Sequence, residues 1–222
     1  MRMSVDRSKP DLTIVVLIHQ ALRADGARLV DTVTSLQPGD QQGRVPGVRA
    51  YYDRYREQLI AHHTHEDTVF YPALAAKVGD DRMCRVQLEA EHAQLDDVLT
   101  SIGKGLDELA ASNGDFSVRR DRVVADLTTM VDELGSHLDF EERVALPLFV
   151  SEIPVEEYNA LEKKVRRATP RDESSFLIPW LAESATPAQR KAWFRTTPPL
   201  AIVYLINRRR YRRVDAALVA RT

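Results

Sequence analysis

The chain has 222 residues, 44% of them hydrophobic, with a formal net charge of −2 and a single cysteine, Cys84. That length suits one large domain or one domain with an extension; a lone cysteine rules out an intramolecular disulfide and fits a reducing compartment. No apolar run approaches the length of a membrane span, and the basic N-terminal stretch ends its short apolar run in His19-Gln20 without a cleavage site, so a cytoplasmic location is expected, with no membrane partner.

Charge is unevenly spread. Residues 153–222 carry 14 basic and 7 acidic side chains, whereas residues 1–152 carry 17 and 26, which predicts a basic tail folded against an acidic body. The run RRRYRR, Arg208 to Arg213, is a charge cluster without a recognition fold, so nucleic acid is not an expected partner.

The first two-thirds reads as helix, with apolar residues at alternating three- and four-residue spacing. The first helix, with Asp11 as its N-cap, carries Leu12, Val15, His19, Leu22, Gly26, Leu29, Val33 and Leu36 on one seam and ends at Gln37–Asp40. The second carries Val48, Tyr52, Tyr55, Leu59, His62, Glu66, Val69 and Ala73 and breaks at Lys77–Asp81. The third carries Leu88, His92, Leu95, Leu99, Ile102, Leu106 and Leu109 and breaks at Ser112–Asp115. The fourth carries Phe116, Val123, Leu127, Met130, Leu134, His137, Glu141, Val144 and Leu148. Short loops between long helices make neighbours antiparallel. The predicted fold is therefore all-α: an up-down-up-down four-helix bundle over residues 1–152, followed by a helical extension over residues 153–222.

The polar exceptions on these seams carry the chemistry. HHTHEDTVFYPAL, from His62, and HLDFEERVALPLF, from His137, share a His, a Glu four residues on and a Pro six beyond that: His62/Glu66/Pro72 and His137/Glu141/Pro147. The i,i+4 spacing puts each His and Glu on one helical face, about 6 Å apart in rise. His19 and His62 are equidistant from the first loop, Glu66 and His92 from the second, and His92 and His137 from the third. All six side chains therefore converge on one layer. A single seam histidine is ordinarily a satisfied core residue. Four imidazoles and two carboxylates in one layer are a different matter, because each unpaired buried carboxylate costs several kcal/mol and the seams offer too few cations to offset it. Two metal ions would do so. Imidazole with carboxylate suits iron, each ion taking two His and the Glu pair bridging; zinc and manganese satisfy the same donors.

These motifs, His19, HHTHE, EAEH and HLDFEE, resemble the hemerythrin-like (HHE cation-binding) domain over about residues 11–150. The resemblance implies a non-haem, carboxylate-bridged di-iron centre held by His19, His62, Glu66, His92, His137 and Glu141, with O2, peroxide or nitric oxide as the small ligand. Oxygen carriers of that family have a further His four residues before the one in EH; here that position is Leu88, so a fifth imidazole is not expected. Four-histidine members are linked to nitric oxide, peroxide or iron–sulfur cluster maintenance. The leading expectation is redox chemistry on such a ligand, with peroxide decomposition as the enzymatic form. Rival readings are oxygen or iron storage without turnover, and a sensor that signals to a partner.

Around the site, His63 and His65 fall off the seam and read as flank or surface residues, with support of the ligands or ion entry as the alternative, Tyr55 as core and Cys84 as an inert small residue. Tyr71 is a candidate metal ligand: its side chain leans back toward Glu66, although regular helix geometry sets it off the seam unless Pro72 distorts the turn. In the extension, PVEEYNALEKKVRR, TPAQRKAWF with Thr186 as N-cap, and a segment after Pro198-Pro199 read as helices. FLIPW, Phe176 to Trp180, reads as a buried loop anchor. The extension is expected to cap the bundle, with a homo-oligomer or protein partner as its other use.

Overall fold

The computed structural model describes residues 8–111 and 114–219, and all regular structure among them is helical. The long helices are α1 (Thr13–Thr34), α2 (Arg44–His65), α5 (Arg85–Ala110) and α6 (Phe116–Glu152). Between α2 and α5 come a π-helical turn (Glu66–Phe70), α3 (Tyr71–Val78) and a single turn, α4 (Asp80–Met83). The extension supplies α7 (Val155–Ala168), α8 (Arg171–Ser184), α9 (Pro187–Thr196) and α10 (Pro198–Asp215).

The four long helices form a closed ring in which α1 touches α2 and α6, and α5 touches α2 and α6. Cross-contacts run in opposite directions along each pair. On α5 and α6, Gln94 bonds Glu133 and Ser101 bonds Asp126. On α1 and α2, His19 meets His62 while the Tyr55 hydroxyl donates to the Leu22 carbonyl. Gly26 permits the tight crossing there: a Cβ would lie 3.1 Å from Val131 and 3.3 Å from the Tyr55 hydroxyl.

Helix ends follow local chemistry. Asp115 caps α6 by accepting from the Ser117 and Val118 N–H groups; Ser112 and Asn113 of the preceding break lie outside the described residues. Asp11 sits one residue outside the α1 cap, Leu12, and accepts from the Thr13 N–H. Thr186 and Gln189 form a reciprocal capping box on α9. Cys84 joins α4 to α5 in a left-handed conformation, φ 55°.

The extension shares the bundle's core. Its FLIPW segment is not a loop, as its sequence predicted, but lies within α8, where Phe176, Ile178, Trp180 and Leu181 are buried with Leu22, Tyr51 and Tyr55. The apolar face of the segment outweighs the helix-weakening effect of Pro179, which sits in the interior of α8. The anchor is polar at its centre. Fully buried Asp25 accepts from the Tyr51 hydroxyl, the Trp180 indole N–H (2.7 Å) and Arg28 (2.9 Å), and Arg28 also reaches Asp215 (2.8 Å) and the Val219 carbonyl (2.9 Å). A smaller apolar cluster (Tyr71, Leu74, Met83, Leu88, Phe149, Tyr158) closes the other end of the bundle. No described helix is long and apolar enough to cross a membrane.

Candidate metal centre

Between the two apolar clusters lies a polar layer. His19, His62, Glu66, His92, His137 and Glu141 are all buried and all meet there. His19 Nε2 lies 3.2 Å from His62 Nε2, and His92 Nε2 lies 3.2 Å from His137 Nε2. Two nitrogens bound at right angles to one ion, each about 2.1 Å away, would be about 3 Å apart, so the spacing of each pair fits one ion. Glu66 links the pairs: Oε1 is 3.2 Å from His62 Nε2 and Oε2 is 3.7 Å from His92 Nε2. Glu141 Oε2 is 3.3 Å from His19 Nε2.

The imidazoles are aimed by carboxylates outside them. His19 Nδ1 pairs with Glu142 (2.9 Å), His92 Nδ1 with Asp67 (2.9 Å) and His137 Nδ1 with Glu91 (2.8 Å). Fixing Nδ1 this way turns Nε2 inward and raises its basicity as a ligand. Arg23 bonds Glu142 and Asp139, steadying the outermost carboxylate. Asp67 and Glu142 each follow the Glu of a motif directly, and each holds a histidine from another helix. Sequence reasoning missed all three acids. The one signal was the repeated acid directly after Glu66 and Glu141.

Two flanking residues move into the site. His63, expected on the flank, is 4% exposed and stacks on His92 with centroids 3.9 Å apart and planes 7° apart. The single-seam expectation was too narrow. A helix in a bundle faces two neighbours, and consecutive positions about 100° apart both fall within that arc. His62 turns to His19 on α1, and His63 to His92 and His137 on α5 and α6. The layer therefore does contain a fifth imidazole, although Leu88 is apolar and buried in the smaller cluster. His65 is half-buried and joins neither metal-capable group. Tyr71 is fully buried beneath His92, ring centroids 6.0 Å apart at 17°. The π-helical turn brings it there: the Tyr71 N–H reaches the Glu66 carbonyl five residues back, so Tyr71 lies over Glu66. Tyr55 is core, as expected.

Electrostatics mark a layer short of positive charge. Burial and the neighbouring Glu141 push Glu66 well above the usual carboxylate range. Burial acts on Glu141 as well, but its hydrogen bond and charge interaction with His19 outweigh it and hold the group down to about 2. His19 holds Glu142 to about 2 too, with Arg23 adding to it. Burial drives His62 and His63 well below their usual value, and the surrounding imidazoles add to this. It lowers His137 as well, against the pull of Glu91. His19 is raised because Glu141 and Glu142 together outweigh its burial. Several buried polar atoms have no aligned hydrogen-bond partner, among them Glu66 Oε2 and both ring nitrogens of His63. Each such group costs about 1–3 kcal/mol, more where it is charged. Cations between them would satisfy the set, and the donors form two groups that could each hold one: His19, His62, Glu66 and Glu141; and His63, His92 and His137.

A family model described as hemerythrin HHE cation binding domain matches residues 11–149. No curated protein and no solved structure matches the chain. The matched span covers all four long helices up to the last turn of α6 and every residue of the polar layer, and the chain belongs to the hemerythrin HHE cation-binding family.

Proposed function

We propose that the chain is a cytoplasmic non-haem di-iron protein that binds and reacts with O2, peroxide or nitric oxide in redox defence. Its matched region would form an up-down-up-down bundle, a reading supported by the closed ring of oppositely running helix contacts. The observation that carries the proposal is the division of one buried layer into two imidazole pairs joined by Glu66. His19 and His62 would hold one iron and His92 and His137 the other, with Glu66 and Glu141 bridging. When bound, such a pair supplies electrons and an open coordination position for the small ligand.

The protein's part is to bind, orient and exclude water. Glu142, Asp67 and Glu91 fix three of the four paired imidazoles, and the cluster of Leu74, Leu88 and Phe149 seals one side of the layer. A groove of about 460 Å³ between α5 and α6, lined by Glu91, Glu133, Phe140 and Arg143, reaches His137 and offers a small molecule a route inward. Tyr71, buried with its hydroxyl near Glu66 and Glu141, is the phenol at the site and our candidate for a further ligand. Peroxide decomposition is the enzymatic form of this reading. A second copy or a protein partner would dock on the basic extension.

The test is elemental analysis with an optical spectrum of iron-reconstituted protein under air and under reductant. The expected result is about two irons per chain, a visible absorption lost on reduction, and steady-state turnover of peroxide or nitric oxide. Fewer than one iron per chain overturns the di-iron reading. Two irons without turnover favours storage or carriage instead.

A further inference from the structure

The apolar residues of α10 divide between two faces. Tyr204 and Tyr211 are buried in the main core where α10 packs on α8, and Leu200, Val203 and Val214 pack beside them. Ile202, Leu205 and Ile206 lie on the opposite side and are 61%, 57% and 72% exposed. Three- and four-residue spacing carries this outer face on to Arg209 and Arg213, with Arg210 at its edge. All three arginines are exposed.

The outer face has no acid of its own. The one acid of α10, Asp215, turns inward to Arg28 and the Tyr211 hydroxyl. Glu183 of α8 is taken up by Arg212 and the Tyr204 hydroxyl. On the bundle, arginines are paired: Arg23 with Asp139 and Glu142, Arg49 with Asp107, Arg85 with Glu89. Arg209, Arg210 and Arg213 make no ion pair among the described residues. Exposed branched side chains beside unpaired cations suit an occupant that is both apolar and anionic.

Size decides between occupants of that kind. Ile202, Leu205 and Ile206 expose on the order of a few hundred Å² of apolar surface, below the about 800 Å² that each partner gives to a standard protein interface. A second copy or a folded partner needs a wider surface than this face. Nucleic acid would engage the arginines and leave the three apolar side chains in water. A bilayer surface satisfies both: short apolar side chains enter the acyl boundary, and arginines hold the phosphates with their stems along the apolar layer. Each signal is marginal alone, and the two together give stable attachment. No described helix is long and apolar enough to cross a membrane, but a helix that lies on one needs no such length.

We propose that the outer face of α10 binds the surface of an anionic phospholipid bilayer, with Ile202, Leu205 and Ile206 entering it and Arg209, Arg210 and Arg213 on the phosphates. The proposal is independent of the metal.

The test is co-sedimentation of the full chain with vesicles of phosphatidylcholine alone or mixed equally with phosphatidylglycerol, at low and high salt. Wild type should bind the anionic vesicles about 100-fold more tightly than the neutral ones at low salt, and lose most of that preference at high salt. Joint replacement Arg209→Gln, Arg210→Gln and Arg213→Gln should remove the preference. Leu205→Ser with Ile206→Ser should weaken binding to the anionic vesicles about 10-fold while leaving its salt dependence. These side chains are exposed, and circular dichroism checks that each variant is folded. Wild type that does not sediment with anionic vesicles, or folded variants that sediment as wild type does, overturn the proposal. A concentration-dependent dimer that Leu205→Ser with Ile206→Ser abolishes, formed by a wild type that ignores vesicles, gives the face to a second copy and overturns it too. So does binding of a random-sequence oligonucleotide but of no vesicle.

Discussion

The motifs beginning at His62 and His137 share residue types and spacing, yet the backbone treats them differently. The second runs unbroken through α6 and passes Pro147 without leaving the α-helix. The first opens into a π-helical turn at Glu66–Phe70 before α3 resumes. Proline alone does not choose between them, since Pro72 and Pro147 each deprive the carbonyl four residues earlier of its partner. One difference lies in the residue directly before each proline. The extra residue of the π-turn carries Tyr71 under His92 and into the smaller cluster. Full burial of such a ring contributes roughly 2 kcal/mol, enough to offset a locally poorer helix. The counterpart in the second motif is Leu146, which packs in the same cluster from an ordinary α-helix. One copy thus offers the layer an extra imidazole and a phenol where the other offers two leucines. They remain alike in the buried Glu and in the acid after it.

The shared features should fail together. Glu66→Ala and Glu141→Ala are each expected to leave fewer than one iron per chain by elemental analysis. Loss in one variant and retention in the other would mean that the two carboxylates do not act as an equivalent pair. A smaller effect is expected one shell further out. Asp67→Asn and Glu142→Gln release His92 and His19, and each should weaken Fe(II) binding about 10–100-fold in a chelator competition. Unchanged affinity would show that packing alone orients those rings.

The features that differ should fail separately. Tyr71→Phe is expected to abolish a broad visible band of the oxidised iron form, since ferric tyrosinate absorbs by charge transfer, while iron content stays constant. An unchanged spectrum would make Tyr71 a packing residue of the π-turn and no ligand. The smallest effect concerns α7, which packs against that turn. Burial on α7, with Asp11 adding to it, pushes Glu162 up to about 7. A carboxyl raised in the folded state keeps its proton there while the unfolded chain releases it, so it subtracts stability as pH rises from about 4.5 to 7. Glu162→Gln should therefore match wild type in denaturant melts near pH 4.5. Near pH 8 it should be more stable by about 1 kcal/mol, allowing for solvent screening of this half-buried group. Equal stability at both pH values would show that Glu162 ionises freely in the folded chain.

Much of this arrangement is set by periodicity. The helical seams and the convergence of His19, His62, Glu66, His92, His137 and Glu141 follow from spacing within helices and distance from the loops, both read along one dimension. Tertiary structure decided the rest. His63 enters the layer because a bundle helix has an interior arc wider than one seam, and only the positions of α5 and α6 say which flank lies inside. Tyr71 enters because burial outweighs regular helix geometry at one motif and leaves it intact at the other. Asp67, Glu91 and Glu142 look in sequence like the solvated acids of any helix, and only the packing of neighbouring helices turns them toward a histidine. FLIPW became helix because its apolar side chains had a bundle face to cover, with Asp25 waiting for Trp180. Local spacing specifies what a single helix can present; which of those groups meet depends on partners far away in the chain.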